Sequence, residues 1–155
     1  KTVVLLKQVQ WGVAKRAIPQ SAGAGVTENG MYTVTSEQDA CGVIATSVTD
    51  SAYKGLSVTV LTEQQMNNIL TQAFNSTDGK LSNAKSTKVS FGSVKAYRTV
   101  GILTTDEGAG DCLIFTYITG NKMDMICLLA YENDTALKNM ANGLMVGGVT
   151  ASPQF

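Results

Sequence analysis

The groups able to do chemistry in this chain of 155 residues are three cysteines, one acidic glycine-rich stretch and a few tyrosines, and no histidine accompanies them. Without histidine the commonest general base, the commonest metal ligand and the usual partner of a serine or cysteine nucleophile are all missing, so ordinary hydrolase triads are excluded. Cys41, Cys112 and Cys127 show no close Cys-x-x-Cys pair, which rules out a zinc site of ordinary spacing. A nucleophilic thiol needs a neighbouring cation or a helix N-terminus to lower its pKa, whereas Cys112 and Cys127 fall mid-strand and Cys41 begins a strand. Small buried core residues are the expectation for all three. Cys112 and Cys127, diagonal neighbours on adjacent strands about 7–8 Å apart by sheet geometry, lie at the limit for a disulfide.

Asp106, Glu107 and Asp111, with Gly108 and Gly110, place hard oxygen ligands in a flexible stretch that could hold Ca²⁺. Their spacing does not match an EF-hand, and a solvated hairpin loop is the ordinary reading of such chemistry. Gly23, Gly25 and Gly30 are wrongly spaced for a phosphate loop and no helix opens after them. Asn75-Ser76-Thr77 and Asn133-Asp134-Thr135 match glycosylation sequons, triplets that arise easily in a Thr- and Asn-rich chain. Trp11, Tyr32, Tyr53, Tyr97 and Tyr131 are the aromatic residues a recognition surface would use. Packing in the core or on a sheet face is their commoner role. The expected catalytic, cofactor-binding and metal residues are therefore none.

The strongest positional signal is structural. Cys112 to Ala130 reads as two β-strands around Gly120-Asn121, apolar on both faces. With a two-residue turn, Ile118 faces Met123, Thr116 faces Met125, Ile114 faces Cys127 and Cys112 faces Leu129, while Leu113, Phe115, Tyr117, Ile126 and Leu128 share the opposite face. A sheet open to water on one side alternates apolar with polar, so this hairpin must sit centrally in a sheet covered on both sides.

The remaining elements follow from local pattern. Lys1 to Val13 reads as one strand or two, and Ser21 to Asn29 as a loop ending at Asn29-Gly30. Met31–Ser36 and Cys41–Thr49 form a hairpin across Glu37 to Ala40. Asp50 to Gly55 is a turn region and Leu56–Leu61 a short extended segment. Thr62 with Gln65 makes a capping box, and Met66, Ile69, Leu70, Ala73 and Phe74 form the apolar stripe of the helix that follows. After a polar loop from Asn75 to Lys85, four strands run in meander order: Ser86–Phe91, Val94–Thr104, Cys112–Thr119 and Lys122–Tyr131. Gly92-Ser93 and Gly120-Asn121 suit type II′ turns. A terminal helix, capped at Asn133 or Asp134, carries Leu137, Met140, Ala141 and Leu144 before Gly147-Gly148. No repeat or linker divides the chain, so one domain spanning 1–155 is expected. The predicted class is α+β, a central antiparallel sheet covered by helices on both faces, an α/β/α sandwich.

The run from Val9 to Ser47 with Pro19 before a short hairpin, the strand-helix unit at Leu56–Phe74, the meander from Ser86 to Tyr131 and the terminal helix together resemble the PsbP/Mog1-like domains. The resemblance covers most of the chain and rests on element order and hydrophobic pattern, with no diagnostic motif. It implies the same sandwich and a place among small extracytoplasmic bacterial domains and lipoproteins. Members of that fold assist photosystem II or bind the Ran GTPase, and no functional residue transfers from them.

Twelve acidic and twelve basic residues cancel, and charged residues make up only 15% of the chain. The basic residues show no run, which argues against nucleic acid or an anionic lipid surface as partner. No stretch approaches the roughly 20 apolar residues of a spanning helix. The polar surface is built from Thr, Ser, Asn and Gln, and the chain opens on Lys1 without methionine, as after removal of a leader or lipid-anchor segment. The leading expectation is a non-enzymatic, secreted or lipid-anchored module with a protein or cell-surface partner and no cofactor. A ligand-binding or enzymatic domain with a carboxylate- and Tyr-lined cleft between sheet and helix is the alternative. It needs open space under the helix Thr62–Phe74. A structural subunit of a surface assembly is the third reading.

Overall fold

In a computed structural model of the chain, residues 25–26, 32–36, 40–75, 79–146 and 149–153 are described. Expectations for Lys1 to Val13, Pro19, Gly147-Gly148 and most of Ser21 to Asn29 lie outside these residues. Among the described residues, seven strands form one antiparallel sheet: β1 (Gly25–Val26), β2 (Tyr32–Ser36), β3 (Cys41–Thr49), β4 (Gly79–Phe91), β5 (Val94–Thr105), β6 (Gly108–Thr119) and β7 (Lys122–Ala130). Their spatial order is β1-β2-β3-β7-β6-β5-β4, which makes β4 an edge strand and puts the β6-β7 hairpin inside the sheet. Helix α1 (Glu63–Ala73) lies between β3 and β4 in sequence. Helix α2 (Asp134–Gly143) follows β7, and a small ribbon of β8 (Met145–Val146) and β9 (Val149–Thr150) comes after it.

The β6-β7 register is the one the alternation requires, with Ile118 opposite Met123, Thr116 opposite Met125, Ile114 opposite Cys127 and Cys112 opposite Leu129. Both faces are buried. On one, Met66 and Leu70 of α1 and Phe74 at its C-cap pack with Leu81, Tyr97, Ile114, Met125 and Cys127. On the other, Leu137, Met140 and Ala141 of α2 pack with Phe91, Leu113, Phe115, Ile126 and Leu128.

The expected α/β/α sandwich is nevertheless overturned, because the fold is a sheet with two short helices and not a sheet layered between helices. The five long strands β3 to β7 have 9, 13, 12, 12 and 9 residues, against 11 and 10 for the helices. At 1.5 Å per residue α1 is about 16 Å long, whereas a 13-residue strand runs roughly 40 Å. A single such helix spans less than half of the face it touches. The remaining cover is irregular: Val58 and Tyr53 from two 3₁₀ turns pack on the α1 side, and Leu144, Val146 and Ala151 from the C-terminal segment on the α2 side. Burial demands apolar atoms over the sheet, and turns supply them as well as helices do. Two-sided burial therefore requires cover on both faces without requiring that the cover be helical.

Local chemistry explains most element ends. Thr62 and Gln65 close the capping box, with Gln65 N–H donating to Thr62 Oγ1 at 3.1 Å and Thr62 N–H to Gln65 Oε1 at 2.8 Å. Asn133 caps α2 by accepting from Ala136 N–H at 3.1 Å. The turns at Gly92-Ser93 and Gly120-Asn121 hold glycine at φ 61° and 62°, the first position of a type II′ turn, where a side chain would be strained. The β2-β3 hairpin closes with Ser36 opposite Cys41.

Three segments differ from expectation. Gly79 to Lys85, expected as loop, is the first half of β4, with Leu81 buried opposite Leu103 and a bulge between Ser82 and Lys85. Asp106-Glu107 is a tight turn, and Gly108 to Asp111 belong to β6. Val58–Val60, expected as extended, is a 3₁₀ turn that buries Val58 and leaves Val60 exposed.

Candidate functional site

A cleft of about 370 Å³ opens beside the sheet edge, lined by Thr59, Lys88, Val89, Ser90, Lys95 and Ser152. Each wall is placed by a separate element. Thr59 stands on the 3₁₀ turn, where Ser57 Oγ accepts from Thr59 N–H at 3.4 Å and lies 2.9 Å from Thr59 Oγ1. Ser152 is tied to β4 through both backbone groups, Ser90 N–H donating to Ser152 O at 3.0 Å and Ser152 N–H to Ser90 O at 2.7 Å. Lys95 pairs across the hairpin with Ser90, and Tyr97 with Lys88, so Lys88 and Lys95 are diagonal neighbours on one face. Their backbones are roughly 7–8 Å apart by sheet geometry, within reach of two lysine side chains converging on one oxyanion.

Tyr97 sits beneath this corner, fully buried, and its hydroxyl donates to Leu61 O at 2.6 Å. That bond fastens the junction between the 3₁₀ turn and α1 to β5, which fixes where Thr59 stands relative to the lysines. Burial raises the Tyr97 phenol, and Glu63 on the first turn of α1 adds to the effect. The phenol therefore stays neutral and keeps its donor proton.

Beside Val89, the lining residues are two exposed lysines and three hydroxyl-bearing residues, and neither lysine forms an ion pair among the described residues. Ammonium and hydroxyl donors of this kind suit an anionic group. The surrounding hairpin reinforces it. Lys80, Lys85, Lys88, Lys95 and Arg98 are five of the chain's 12 basic residues, and none of its 12 acidic residues lies between Gly79 and Thr105. Net neutrality of the whole chain conceals this local excess.

A second polar cluster lies in the α2-side core. Asp124 is only 3% exposed, and Ser47 Oγ donates to its Oδ1. Tyr117 sits opposite Asp124 across β6 and β7, and Ser47 opposite it across β3. The Tyr117 hydroxyl is buried without a hydrogen bond of ordinary geometry. Burial pushes its phenol up, and the Asp124 carboxylate beside it pushes further. Serine with a carboxylate and no imidazole lacks the base that would make it a nucleophile.

The residues singled out by type are dispersed. Cys41, Cys112 and Cys127 are buried and form no disulfide, and a hydrogen bond to Cys112 together with burial raises the Cys127 thiol, the reverse of an activated nucleophile. Asp106 and Glu107 occupy an exposed turn while Asp111 faces solvent from β6, opposite Ile102. No group of three or more Cys, Asp or Glu among the described residues could hold a metal. Tyr53 is half-buried against the α1-side core, and Tyr131 Oη lies 2.7 Å from Thr105 Oγ1. Trp11 and the Tyr32 side chain are outside the described residues. Asn133 of the second sequon serves as a helix cap.

Space between α1 and the sheet is filled, with Met66 and Leu70 at 0% exposure. Sequence reasoning missed the cleft because its walls come from residues 59, 88–90, 95 and 152, which share no spacing motif. The one linear signal was the acid-free stretch from Gly79 to Thr105. No helix among the described residues is long and apolar enough to cross a membrane. Compared with known proteins, the chain matches no family model and no curated protein.

Proposed function

We propose that this chain is a non-enzymatic extracytoplasmic binding module that recognises an anionic group on its partner through the cleft at the β4-β5 corner. The observation that carries the reading is the placement of Lys88 and Lys95, paired with no carboxylate among the described residues, at a cavity otherwise lined by Thr59, Val89, Ser90 and Ser152. These groups bind and orient an anion by charge and donated hydrogen bonds, and such binding needs no bond-making step. The surface of Thr, Ser and Asn with few charges supports a site outside the cytoplasm, and the element order that resembles PsbP/Mog1-like domains supports an interaction role. The packed interface beneath α1 favours this corner over a cleft between helix and sheet.

Two ammoniums in water-like dielectric and a few hydroxyl donors predict a dissociation constant on the order of millimolar for a small oxyanion. Sulfate titrated into the protein at constant ionic strength, followed by amide chemical shifts, should give saturable changes centred on Lys88, Ser90, Lys95 and Ser152. The Lys88→Gln/Lys95→Gln variant should lose them. Equal binding by the variant, or shifts scattered over the whole surface, refutes the cleft as the anion site.

A further inference from the structure

The walls of the cleft are not equally fixed. Lys88 and Ser90 stand on β4 and Lys95 on β5, within the paired hairpin. Thr59 stands on a turn fastened by Leu61 N–H donating to Val58 O at 3.1 Å and by the Tyr97 hydroxyl donating to Leu61 O. The last wall, Ser152, belongs to residues 151–153, which follow β9 and meet β4 at one point, an isolated bridge with Ser90.

An antiparallel partner alternates its side chains between the two faces. Lys88 lies opposite Tyr97, which belongs to the α1-side core, so Ser152 lines the cleft on that side while Ala151 is buried in the α2-side core. Little holds this strap: two backbone bonds with Ser90, the buried side chain of one alanine, and Arg98 Nη1 donating to Pro153 O at a long 3.5 Å. Val149, two residues before it, is 44% exposed. A segment secured by so few buried contacts opens at lower free-energy cost than the central strands do.

We propose that the seating of this strap and the binding of an oxyanion in the cleft form one coupled equilibrium. An oxyanion between Lys88 and Lys95 accepts from the Ser152 hydroxyl as well, and so ties the strap to the hairpin. An unseated strap takes away that donor and one wall, and the anion leaves with it. Linkage then works in both directions. An anion that binds only the seated form slows strap opening, and a change that unseats the strap weakens anion binding by the seated fraction lost. This rests on reading the cleft as an anion site and adds a moving wall to it.

The test uses the whole chain, with hydrogen exchange read amide by amide in sulfate and in chloride of equal ionic strength. Without sulfate, the Ser90 and Ser152 amides should exchange at least about a hundredfold faster than those of Ile126 and Cys127 in the central hairpin. Sulfate at about ten times its dissociation constant should slow both roughly tenfold. Ala151→Asn forces a neutral carboxamide against the α2-side core and changes no residue of the cleft, so it should raise the sulfate dissociation constant at least about tenfold. Sulfate that shifts Lys88 and Lys95 yet leaves exchange at Ser90 and Ser152 unchanged overturns the coupling and leaves the anion cleft standing. Equal exchange at the strap and in the central hairpin removes separate opening of the strap and with it the proposal. Unaltered sulfate affinity in a folded Ala151→Asn protein does the same, and where that variant does not fold the wild-type exchange decides. Absence of any saturable response to sulfate overturns both strap and cleft.

Discussion

The position of α1 against the edge of the sheet depends on a short polar chain whose energetics can be worked out bond by bond. Ser86 of β4 is 1% exposed and Thr99 of β5 is 0% exposed. Ser86 Oγ lies 2.5 Å from Asn67 Oδ1 on α1 and 2.7 Å from Thr99 Oγ1. A carboxamide oxygen only accepts, so the single Ser86 proton goes to Asn67 and the Thr99 hydroxyl must donate to Ser86. Ser86→Ala then removes an acceptor from a buried hydroxyl and a donor from Asn67, and should cost about 1–3 kcal/mol. Thr99→Val, similar in shape, leaves Ser86 bonded to Asn67 and should cost about 0.5–1.5 kcal/mol. In the double variant no hydroxyl is stranded, so its loss should fall below the sum of the two by about 1 kcal/mol. Urea denaturation of the four proteins, with an unchanged dependence on denaturant, measures the cycle. Additivity within about 0.5 kcal/mol would mean that the two hydroxyls do not act as a chain, and the assignment of donors would be wrong.

Two further expectations concern buried hydroxyls on either side of β6. Thr116 is 0% exposed and its Oγ1 makes no hydrogen bond, so Thr116→Val should raise stability by about 1 kcal/mol, read from the same denaturation curves. A loss of stability instead would show that the hydroxyl is satisfied. Tyr117 is held above its ordinary 10.0 by burial and by Asp124, so the unfolded chain releases this proton first. The stability it contributes is complete below that ordinary value and declines as pH rises beyond it, and Tyr117→Phe should flatten the decline, leaving the shares of the buried Cys127 thiol and of Tyr97. Parallel alkaline losses in wild type and variant would remove Tyr117 from this account.

How much of a fold can be read from its residues depends on how far apart the cooperating groups lie along the chain. The β6-β7 register is legible because a two-residue turn at Gly120-Asn121 and a strict alternation leave one pairing that buries both apolar sets. The caps at Thr62 and Asn133 are legible because donor and acceptor are three residues apart. The first half of β4 is not, since Lys80, Ser82, Asn83 and Lys85 face water or the bulge and only Leu81 is fully buried, which gives a polar edge strand the composition of a loop. Irregular cover escapes for a related reason. Val58 and Ala151 bury as completely as helix residues do but belong to segments with no period to detect.

The same reasoning explains where the chemistry of this chain had to be. Apolar residues on both faces of β6 and β7 commit the centre of the sheet to packing, and they draw the cysteines and several of the tyrosines into it. A sheet that is dry on both faces still ends in an edge, and there backbone amides remain unpaired whatever the side chains are. In this chain that edge is β4, which carries Lys80, Lys85 and Lys88 and no acidic residue. The charge that packing leaves over therefore stands at this edge, where Lys88 and its neighbour Lys95 remain exposed.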